Sequence, residues 1–329
     1  MAALMNSTSQ RINPDGLVDH LTSTFGTSGA IGEFRKFLAK HPMATNWMIA
    51  SDYVINDSQA ASDAYAYTFF PTAEIQDLKA KIVKLVPKDF KKTQAVKPEL
   101  HDFFQSGETF TICLLTPKKY NSAGDIHPIR RALDKSLGMM QNWQNADNHP
   151  AINAFERLKE RAKANNFNAQ LFSTIMIATV MAAFCAIILA QERKIEVVGW
   201  FPDRDNITTS YERIAEHMFA VNFSAFCQRH NIDPIKTMIG RPEPDAAHPK
   251  QTWYDELVRI PDFVSGPLAG WHYKQNLVTD RQKYLDILQG AVADNPYLIT
   301  LLLTDGDQGI GVGRLLCKPA GWSKQGSVG

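Results

Sequence analysis

Cysteine is scarce in this 329-residue chain, and none of the four cysteines belongs to a CxxC pair. Each one lies among apolar neighbours; they are Cys113, Cys185, Cys227 and Cys317. Disulfide frameworks and cysteine-ligated zinc ions need paired or closely spaced cysteines. We therefore expect four buried, reduced thiols in a cytoplasmic protein, without a zinc site.

The chain also lacks an excess of charge of either sign, since its formal net charge is +1. A balance near zero argues against a general nucleic-acid coat protein. The charge is nevertheless unevenly distributed, because residues 73–165 contain 16 Lys and Arg against 11 Asp and Glu. The composition is therefore compatible with a local basic surface.

Common nucleotide, metal and export motifs are missing. The glycines of GIGVG, at 309–313, do not have the GxGxxG spacing of a dinucleotide site. The nine histidines form no HExxH motif. The first 16 residues lack the apolar region of a secretory signal. These absences argue against a dinucleotide site, a zinc site of the HExxH type and secretion.

One long apolar run stands out against this background. Residues 171–190, LFSTIMIATVMAAFCAIILA, contain no charged residue over 20 positions, which is the length of a membrane span. Serine, threonine and alanine dilute its hydrophobicity, and a strand-like segment follows at once. We favour a helix buried on all sides in a soluble core, with a membrane-associated effector as the alternative.

Apolar periodicity predicts an α/β fold with a mixed sheet flanked by helices. Strands are expected in a hairpin at 46–70 and at 109–116, 195–201, 298–303 and 313–317. Helices are expected at 14–23, 29–39, 75–85, 98–105, 127–143, 150–165 and 168–190, and from Ile207 onward. A late helical pattern begins with Trp253, Leu257 and Ile260, and the helix is expected to restart at Pro261. Residues 230–251 are expected to form a loop.

These elements suggest three regions. Residues 1–45 form a helical lead-in, residues 46–319 form the main domain, and residues 320–329 form a disordered tail. The polar and basic segment at about 117–168 is expected to be a helical insertion in the main domain.

Acidic residues occur at informative places along the predicted elements. Asp52 lies within the first strand, Asp203 and Asp205 follow the fourth strand, and Asp262 follows Pro261 in the late helix. If the first and fourth strands are neighbours, Asp52 and Asp203 converge, and a helix packed on that face adds Asp262. Asp89, in a lysine-rich segment, is a further candidate.

Such a cluster cannot stay fully ionised without compensation, because like charges raise one another's pKa. Divalent cations resolve this conflict, and carboxylate oxygens suit Mg²⁺ or Mn²⁺. Two ions about 3.5–4 Å apart can activate water and stabilise the leaving oxygen of a phosphodiester. We therefore consider a two-ion site formed by Asp52, Asp89, Asp203 or Asp205, and Asp262.

Each acid also has a purely structural interpretation. Asp52 could face solvent by strand alternation. Asp203 could be a turn residue, and Asp205 a helix N-cap. Asp262 could be a first-turn acid favoured by the helix dipole. Asp89 could simply pair with a neighbouring lysine.

Basic residues surround Asp89 and give the segment two interpretations. Lysines are more often a solvated face, but beside an acid cluster they would bind the phosphates of a nucleic acid. The candidates for this contact are Lys84, Lys88, Lys91 and Lys92.

The order of these elements resembles the RNase H-like superfamily, and more narrowly the family catalogued as domain of unknown function 3800. The matching segments are WMIASDYVI, PKDFKKT, WFPDRD and IPDFVSGPLAGW, within residues 46–305. The resemblance implies an RNase H-like sheet and a metal-dependent nuclease acting on RNA or DNA. The family pattern has Asp-Glu-Ser in the first strand, where this chain has Asp52-Tyr53-Val54, and a Glu before Lys, where it has Asp89.

The sequence thus leads to three hypotheses of function. The preferred one is a phosphodiester-cleaving hydrolase that uses Mg²⁺ or Mn²⁺. The others are a catalytically inactive binding protein on the same scaffold and the membrane-associated effector.

Overall fold

Seven strands form one mixed sheet in the computed structural model, which describes residues 14–118, 126–142, 149–233, 235–240, 252–278, 282–306, 309–318 and 323–324. In chain order the strands are β1 (Asn46–Val54), β2 (Asp63–Pro71), β3 (Phe110–Thr116), β4 (Val197–Pro202), β5 (Lys236–Ile239), β6 (Trp271–His272), β7 (Leu277–Val278), β8 (Leu298–Gly306), β9 (Gly309–Leu315) and β10 (Ser323–Lys324). The large sheet has the order β5-β4-β1-β2-β3-β8-β9, and β10, β7 and β6 form a small second sheet.

The large sheet contains both antiparallel and parallel strand pairs. The β1, β2 and β3 strands are antiparallel neighbours. On one side β4 runs parallel to β1 and β5 runs parallel to β4. On the other side β8 runs parallel to β3, and β9 returns antiparallel to β8. The expectation of a mixed α/β sheet is therefore confirmed.

Helices cover both faces of this sheet. They are α1 (Pro14–Thr27), α2 (Ala30–Lys40), α3 (Ile75–Leu85), α4 (Pro98–Ser106), α5 (His127–Asn142), α6 (His149–Arg161), α7 (Ala169–Glu192), α8 (Asn206–Arg229), α9 (Asp255–Ala269) and α10 (Gln282–Ile287). A 3₁₀ turn spans Phe90–Lys92, and a π-helical turn, Leu288–Val292, follows α10.

Strand alternation divides the interior into two apolar cores. On β1, Trp47 and Ile49 face the core shared with α1, α2 and α7, whereas Met48 and Ala50 face the core shared with α3, α4 and α9. Side chains of a strand point alternately to opposite faces, so Asp52 belongs to the second face. This face carries the small residues Ala50, Ala64 and Ala66, and α9 packs directly against β1 and β2.

The long apolar helix, α7, lies inside the fold. Among the described residues, it is the one helix with the length and apolar composition to cross a membrane. Of its most apolar 18-residue stretch, 89% is buried inside the protein. Tyr67 of β2 donates a hydrogen bond to the carbonyl oxygen of Ala178 in α7 at 2.7 Å. This burial agrees with the favoured interpretation of a core helix and is consistent with a soluble protein.

The four cysteines are free and buried, as expected. The two helices preceding β1 contribute Leu21, Phe25 and Phe34 to the first core, so they pack on the same sheet as the later elements. The helices α5 and α6 fall in the expected insertion. Of the expected disordered tail, only Ser323 and Lys324 lie among the described residues, and they form β10 beside β7.

Three local expectations are wrong. Helix α9 does not restart at Pro261 but runs through it from Asp255. The predicted loop at 230–251 contains β5. Helix α8 is also interrupted by a kink, in which Tyr211, Glu212 and Arg213 have positive φ angles of 49°, 57° and 64°.

Candidate active site

A cleft with a volume of about 500 Å³ opens beside α9, at the carboxyl ends of the parallel strands β1 and β4. In open α/β sheets this edge is where ligands bind, because loops rather than strands close it. Four parts of the chain line the cleft: strand β1, the 3₁₀ turn Phe90–Lys92 with the residue before it, the residue after β4, and helix α9. The lining residues are Asp52, Asp89, Lys91, Lys92, Asp203, Asp255, Val258, Arg259 and Asp262.

Asp52 lies on the α9 side of β1 and is only 7% exposed. The solvent-facing alternative for this residue is therefore wrong. Ser265 of α9, itself fully buried, donates a short hydrogen bond to Oδ2 of Asp52. The small side chains of this sheet face allow α9 to approach closely enough for that bond.

Asp203 is brought next to Asp52 by the pairing of β1 with β4. The register places Ser51 opposite Pro202, and the backbone N–H of Asp203 donates to the Ser51 carbonyl oxygen at 2.8 Å. Oδ1 of Asp203 accepts the backbone N–H of Arg204 at 2.7 Å. Asp203 is therefore a turn residue and a cleft residue at once.

Asp262 lies in the middle of α9, seven residues after Asp255 at its start, and not in a first turn. The helix-dipole interpretation of this acid is consequently wrong. Its Oδ2 accepts the backbone N–H of Phe90 at 2.7 Å. That bond fixes the 3₁₀ turn against α9 and brings Asp89 and Lys91 to the cleft.

Asp205 has a different role from the other candidates. Its Oδ1 accepts the backbone N–H groups of Ile207 and Thr208 at 2.8 and 3.2 Å, and Thr208 completes a capping box at the start of α8. Asp205 does not line the cleft. The structure supports the capping interpretation, and Asp205 is not a cleft residue that could bind a metal with the other three acids.

The basic candidates separate into two pairs. Lys91 and Lys92 line the cleft, whereas Lys84 and Lys88 do not. Lys92 binds Oδ2 of Asp89 at 2.5 Å, as the structural interpretation of Asp89 expected. Both partners are more than half exposed, so this pair adds little stability.

Burial and mutual repulsion raise the pKa values of the cleft carboxyls. Burial raises the pKa of Asp52 well above its ordinary value, and the charges of Asp262 and Asp203 raise it further, against the hydrogen bond from Ser265. Burial likewise raises the pKa of Asp203, and the charges of Asp255 and Asp89 add to the effect.

The pKa of Asp262 is raised for similar reasons. Burial raises it to about 6, with further contributions from Asp203 and Asp89. The N–H of Phe90 and the charge of Lys91 oppose this rise. Ionising the three carboxyls together therefore costs free energy that only additional positive charge can offset.

Among the described residues, no group of three or more His, Cys, Asp and Glu side chains already has the spacing to hold a metal ion. One oxygen of each key carboxylate accepts a protein hydrogen bond, from Ser265 for Asp52, from Arg204 for Asp203 and from Phe90 for Asp262. Within the described part of the chain, none of these three carboxylates forms an ion pair. The second oxygen of each is therefore available to a ligand.

Three residues of the site were not identified from the sequence. Asp255, Arg259 and Ser265 lie on α9, at positions separated from Asp262 by seven, three and three residues. Such spacings place side chains on one face of a helix. The helical pattern predicted from Trp253 onward includes these positions, but the restart expected at Pro261 separated Asp255 and Arg259 from Asp262.

No protein-family model, curated protein or solved structure significantly matches the chain.

Proposed function

We propose that the protein is a divalent-metal-dependent nuclease that hydrolyses phosphodiester bonds in the cleft beside α9. The observation that carries this proposal is the convergence of Asp52, Asp203 and Asp262 from three separate elements on one cleft, without ion-pair partners in the described chain. Buried charges are normally paired or coordinate a metal. A site that keeps three acids this close is therefore adapted to cations.

The donor set suits hard divalent ions. Carboxylate oxygens are the ligands that Mg²⁺ and Mn²⁺ prefer, and each of these three residues has one oxygen that accepts no hydrogen bond from the described residues. Bound ions would supply activation of a water molecule and stabilisation of the leaving oxygen. Asp52, Asp203 and Asp262 would hold them, with Asp89 as a further candidate at the rim.

The remaining residues of the cleft would orient the substrate. Ser265 holds the Asp52 carboxylate in one orientation, and the Phe90 N–H does the same for Asp262. Lys91 and Arg259 place positive charge at the cleft wall, where it would attract the phosphate backbone. The chain's own contribution is thus positioning and charge complementarity.

We also propose that strands β3-β2-β1-β4-β5 form an RNase H-like core. Support comes from their order and directions, with an antiparallel three-strand meander whose first strand pairs in parallel with a later strand. The acid in the middle of β1, the acid after β4 and the acid on a late helix occur where that resemblance implies them. Strands β8 and β9 would extend this core beyond β3.

The test is cleavage of end-labelled RNA and DNA oligonucleotides with Mg²⁺, with Mn²⁺ and with EDTA. We expect cleavage only with a divalent ion. Asp52→Asn and Asp262→Asn should each lower the rate by more than about 100-fold, because losing even an outer-sphere partner of a metal commonly costs 10- to 100-fold.

The matched control is Asp77→Asn, which removes an exposed acid of α3 outside the cleft and should leave the rate unchanged. Circular dichroism should show all variants folded. Cleavage at the wild-type rate by folded Asp52→Asn and Asp262→Asn would refute the proposal. Absence of cleavage by the wild type under every condition would favour a catalytically inactive binding protein.

A further inference from the structure

Two cations of the cleft have no acidic partner among the described residues. Lys91 and Arg259 line the cleft together with five aspartates, yet neither forms an ion pair in this part of the chain. Lys92 differs, because Asp89 binds it. Unpaired cations beside a carboxylate cluster are available to an anion that enters the cleft.

Arg259 is held in a fixed position while part of its guanidinium lacks an acceptor. Its Nη1 donates to the Val86 carbonyl oxygen, at the end of α3, at 3.0 Å. Its Nε is buried and has no hydrogen-bond partner in the described structure. An unsatisfied buried donor costs free energy, which a phosphate would offset if the guanidinium turned this donor toward the cleft. Arginine suits phosphate because its planar donors can bind two oxygens at once.

An exposed tryptophan lies just before the helix that carries Arg259. Trp253 is 46% exposed, although tryptophan is usually largely buried, and it precedes the cleft residue Asp255 by two positions. Its ring packs near-perpendicular to the rings of Phe201 and Tyr254, with centroids 5.3 and 5.5 Å apart. The Lys79 ammonium donates to the Trp253 carbonyl oxygen at 2.5 Å.

The exposed indole is therefore held in place, two residues before the helix that carries Asp255 and Asp262. From Asp255 to Asp262 the helix advances about 10 Å, at about 1.5 Å per residue. A few nucleotides of a strand cover such a distance. Phe201, which contacts the indole, also precedes Asp203 by only two residues.

We propose that the cleft binds a single-stranded stretch of nucleic acid, with a phosphate on Arg259 and Lys91 and an unpaired base stacked on Trp253. This inference rests on the nuclease function proposed above and specifies its substrate. The phosphates of a duplex could bind Arg259 and Lys91. A duplex offers no unpaired base to Trp253, however, because its bases are stacked on one another. Stacking on an aromatic side chain contributes about 1–3 kcal/mol per base.

The test is fluorescence anisotropy with a labelled single-stranded oligonucleotide and the matching duplex, as RNA and as DNA. All titrations use Asp52→Asn in Mg²⁺, so that binding is measured without cleavage. We expect the single strand to bind at least about tenfold more tightly than the duplex. Added to this background, Trp253→Ala should weaken single-strand binding by about 5- to 150-fold, the range that corresponds to the stacking free energy.

Conservative variants separate specific contacts from general damage. Trp253→Phe should keep most of the affinity, since a phenyl ring still stacks. Arg259→Ala should weaken binding about tenfold or more, and Arg259→Lys should restore part of it. Met43→Ala and Lys36→Ala are the controls, because they remove an exposed apolar side chain and an exposed cation outside the cleft, and both should bind as the parent does.

Equal affinity for duplex and single strand, or parental affinity in folded Trp253→Ala and Arg259→Ala, would overturn the inference. A change in self-association on Trp253→Ala, with unchanged nucleic-acid affinity, would assign the tryptophan to a protein contact and overturn it as well. These results are independent of cleavage. A wild type that never cuts but binds single strands through Trp253 and Arg259 would refute only the nuclease proposal.

Discussion

At the scale of single residues, the buried carboxylates of the cleft lower the stability of the metal-free protein. Asp52 is the clearest case, since burial and two neighbouring carboxylates all disfavour its ionised form. Residues with strongly perturbed pKa values in a cleft are candidates for function because structure alone gives no reason to keep them. A cation would turn this unfavourable arrangement into a favourable one.

Because burial and neighbouring acids raise the pKa of Asp262, Asp262→Asn should stabilise the metal-free protein in a pH-dependent way. The pKa of Asp262 is about 6 in the folded chain, against 3.8 as its ordinary value. The folded state therefore binds more protons than the unfolded state between these values, and stability falls as the pH rises from about 4 to about 6. Asparagine does not ionise and can still accept the Phe90 N–H.

The expected difference is near zero at pH 4 and about 1–2 kcal/mol in favour of Asp262→Asn at pH 7.5, discounted for the partial exposure of the residue. Urea unfolding of both proteins in EDTA measures it across this range. With Mg²⁺ at pH 7.5 the order should reverse, because only the wild type keeps the full ligand set. A variant less stable than the wild type in EDTA at pH 7.5 would contradict the electrostatic account.

At the scale of secondary-structure elements, the strands and most helices follow from local pattern. The hairpin of β1 and β2 and helix α3 follow apolar patterns, and the buried helix α7 is a continuous apolar run. Their predicted positions agree with the structure to within a few residues. The short strand β5 could not be predicted, since its four residues form a strand only by pairing with β4. Edge strands of this kind depend on tertiary contacts more than on their own sequence.

Local sequence pattern also determined which residues of the candidate site could be predicted. Asp52 was identified because a carboxylate within an apolar strand is unusual. Asp203 and Asp262 were identified because the elements that carry them could converge with the first strand. The cation Arg259 was missed because a helix restart at Pro261 would break its register with Asp262, whereas α9 runs through the proline. The exposure of Trp253 cannot be read from the chain, because it depends on how Phe201 and Tyr254 pack.

Contact between α9 and the 3₁₀ turn leads to a prediction at Gly266. A Cβ atom there would lie 3.0 and 3.1 Å from two atoms of the Phe90 ring. That ring is confined by Phe263 and Tyr284, with centroids 4.9 and 5.1 Å away. Gly266→Ala should therefore displace Phe90, disturb the bond between its N–H and Asp262, and lower the free energy of unfolding by about 1 kcal/mol.

Gly32→Ala in α2 provides the comparison, because a Cβ atom there meets nothing within 4 Å. This variant should gain about 0.5–1 kcal/mol from its higher helix propensity. Urea unfolding measures both variants. If Gly266→Ala were stabilised as much as Gly32→Ala, the close packing of α9 on the turn would not constrain the site.

At the scale of the whole molecule, the two faces of the sheet have separate roles. One face carries the large core with α7, and the other carries α9 and the cleft. Part of the basic excess at 73–165 is paired with acids. In the insertion, Arg157 pairs with Glu212 and Lys159 with Asp134, so those cations are largely neutralised.

The N-terminal helices provide a test of this organisation. Phe25 of α1 is 1% exposed and packs against Phe34 and Phe184, with ring centroids 5.9 and 5.8 Å apart. Phe25→Ala should therefore destabilise the whole domain by about 3–5 kcal/mol, the usual cost of removing a buried phenyl ring. Chemical denaturation followed by tryptophan fluorescence measures this, and a loss below about 1 kcal/mol would show that α1 is a dispensable lead-in.

Asp52, Asp203 and Asp262 should together bind divalent cations. Anomalous diffraction from crystals soaked in Mn²⁺ tests it most directly, because it locates the ions without assuming any activity. We predict anomalous peaks about 2.0–2.3 Å from oxygens of these carboxylates. Crystals at saturating Mn²⁺ that show no peak between the three carboxylates, with the cleft open to solvent, would contradict the account.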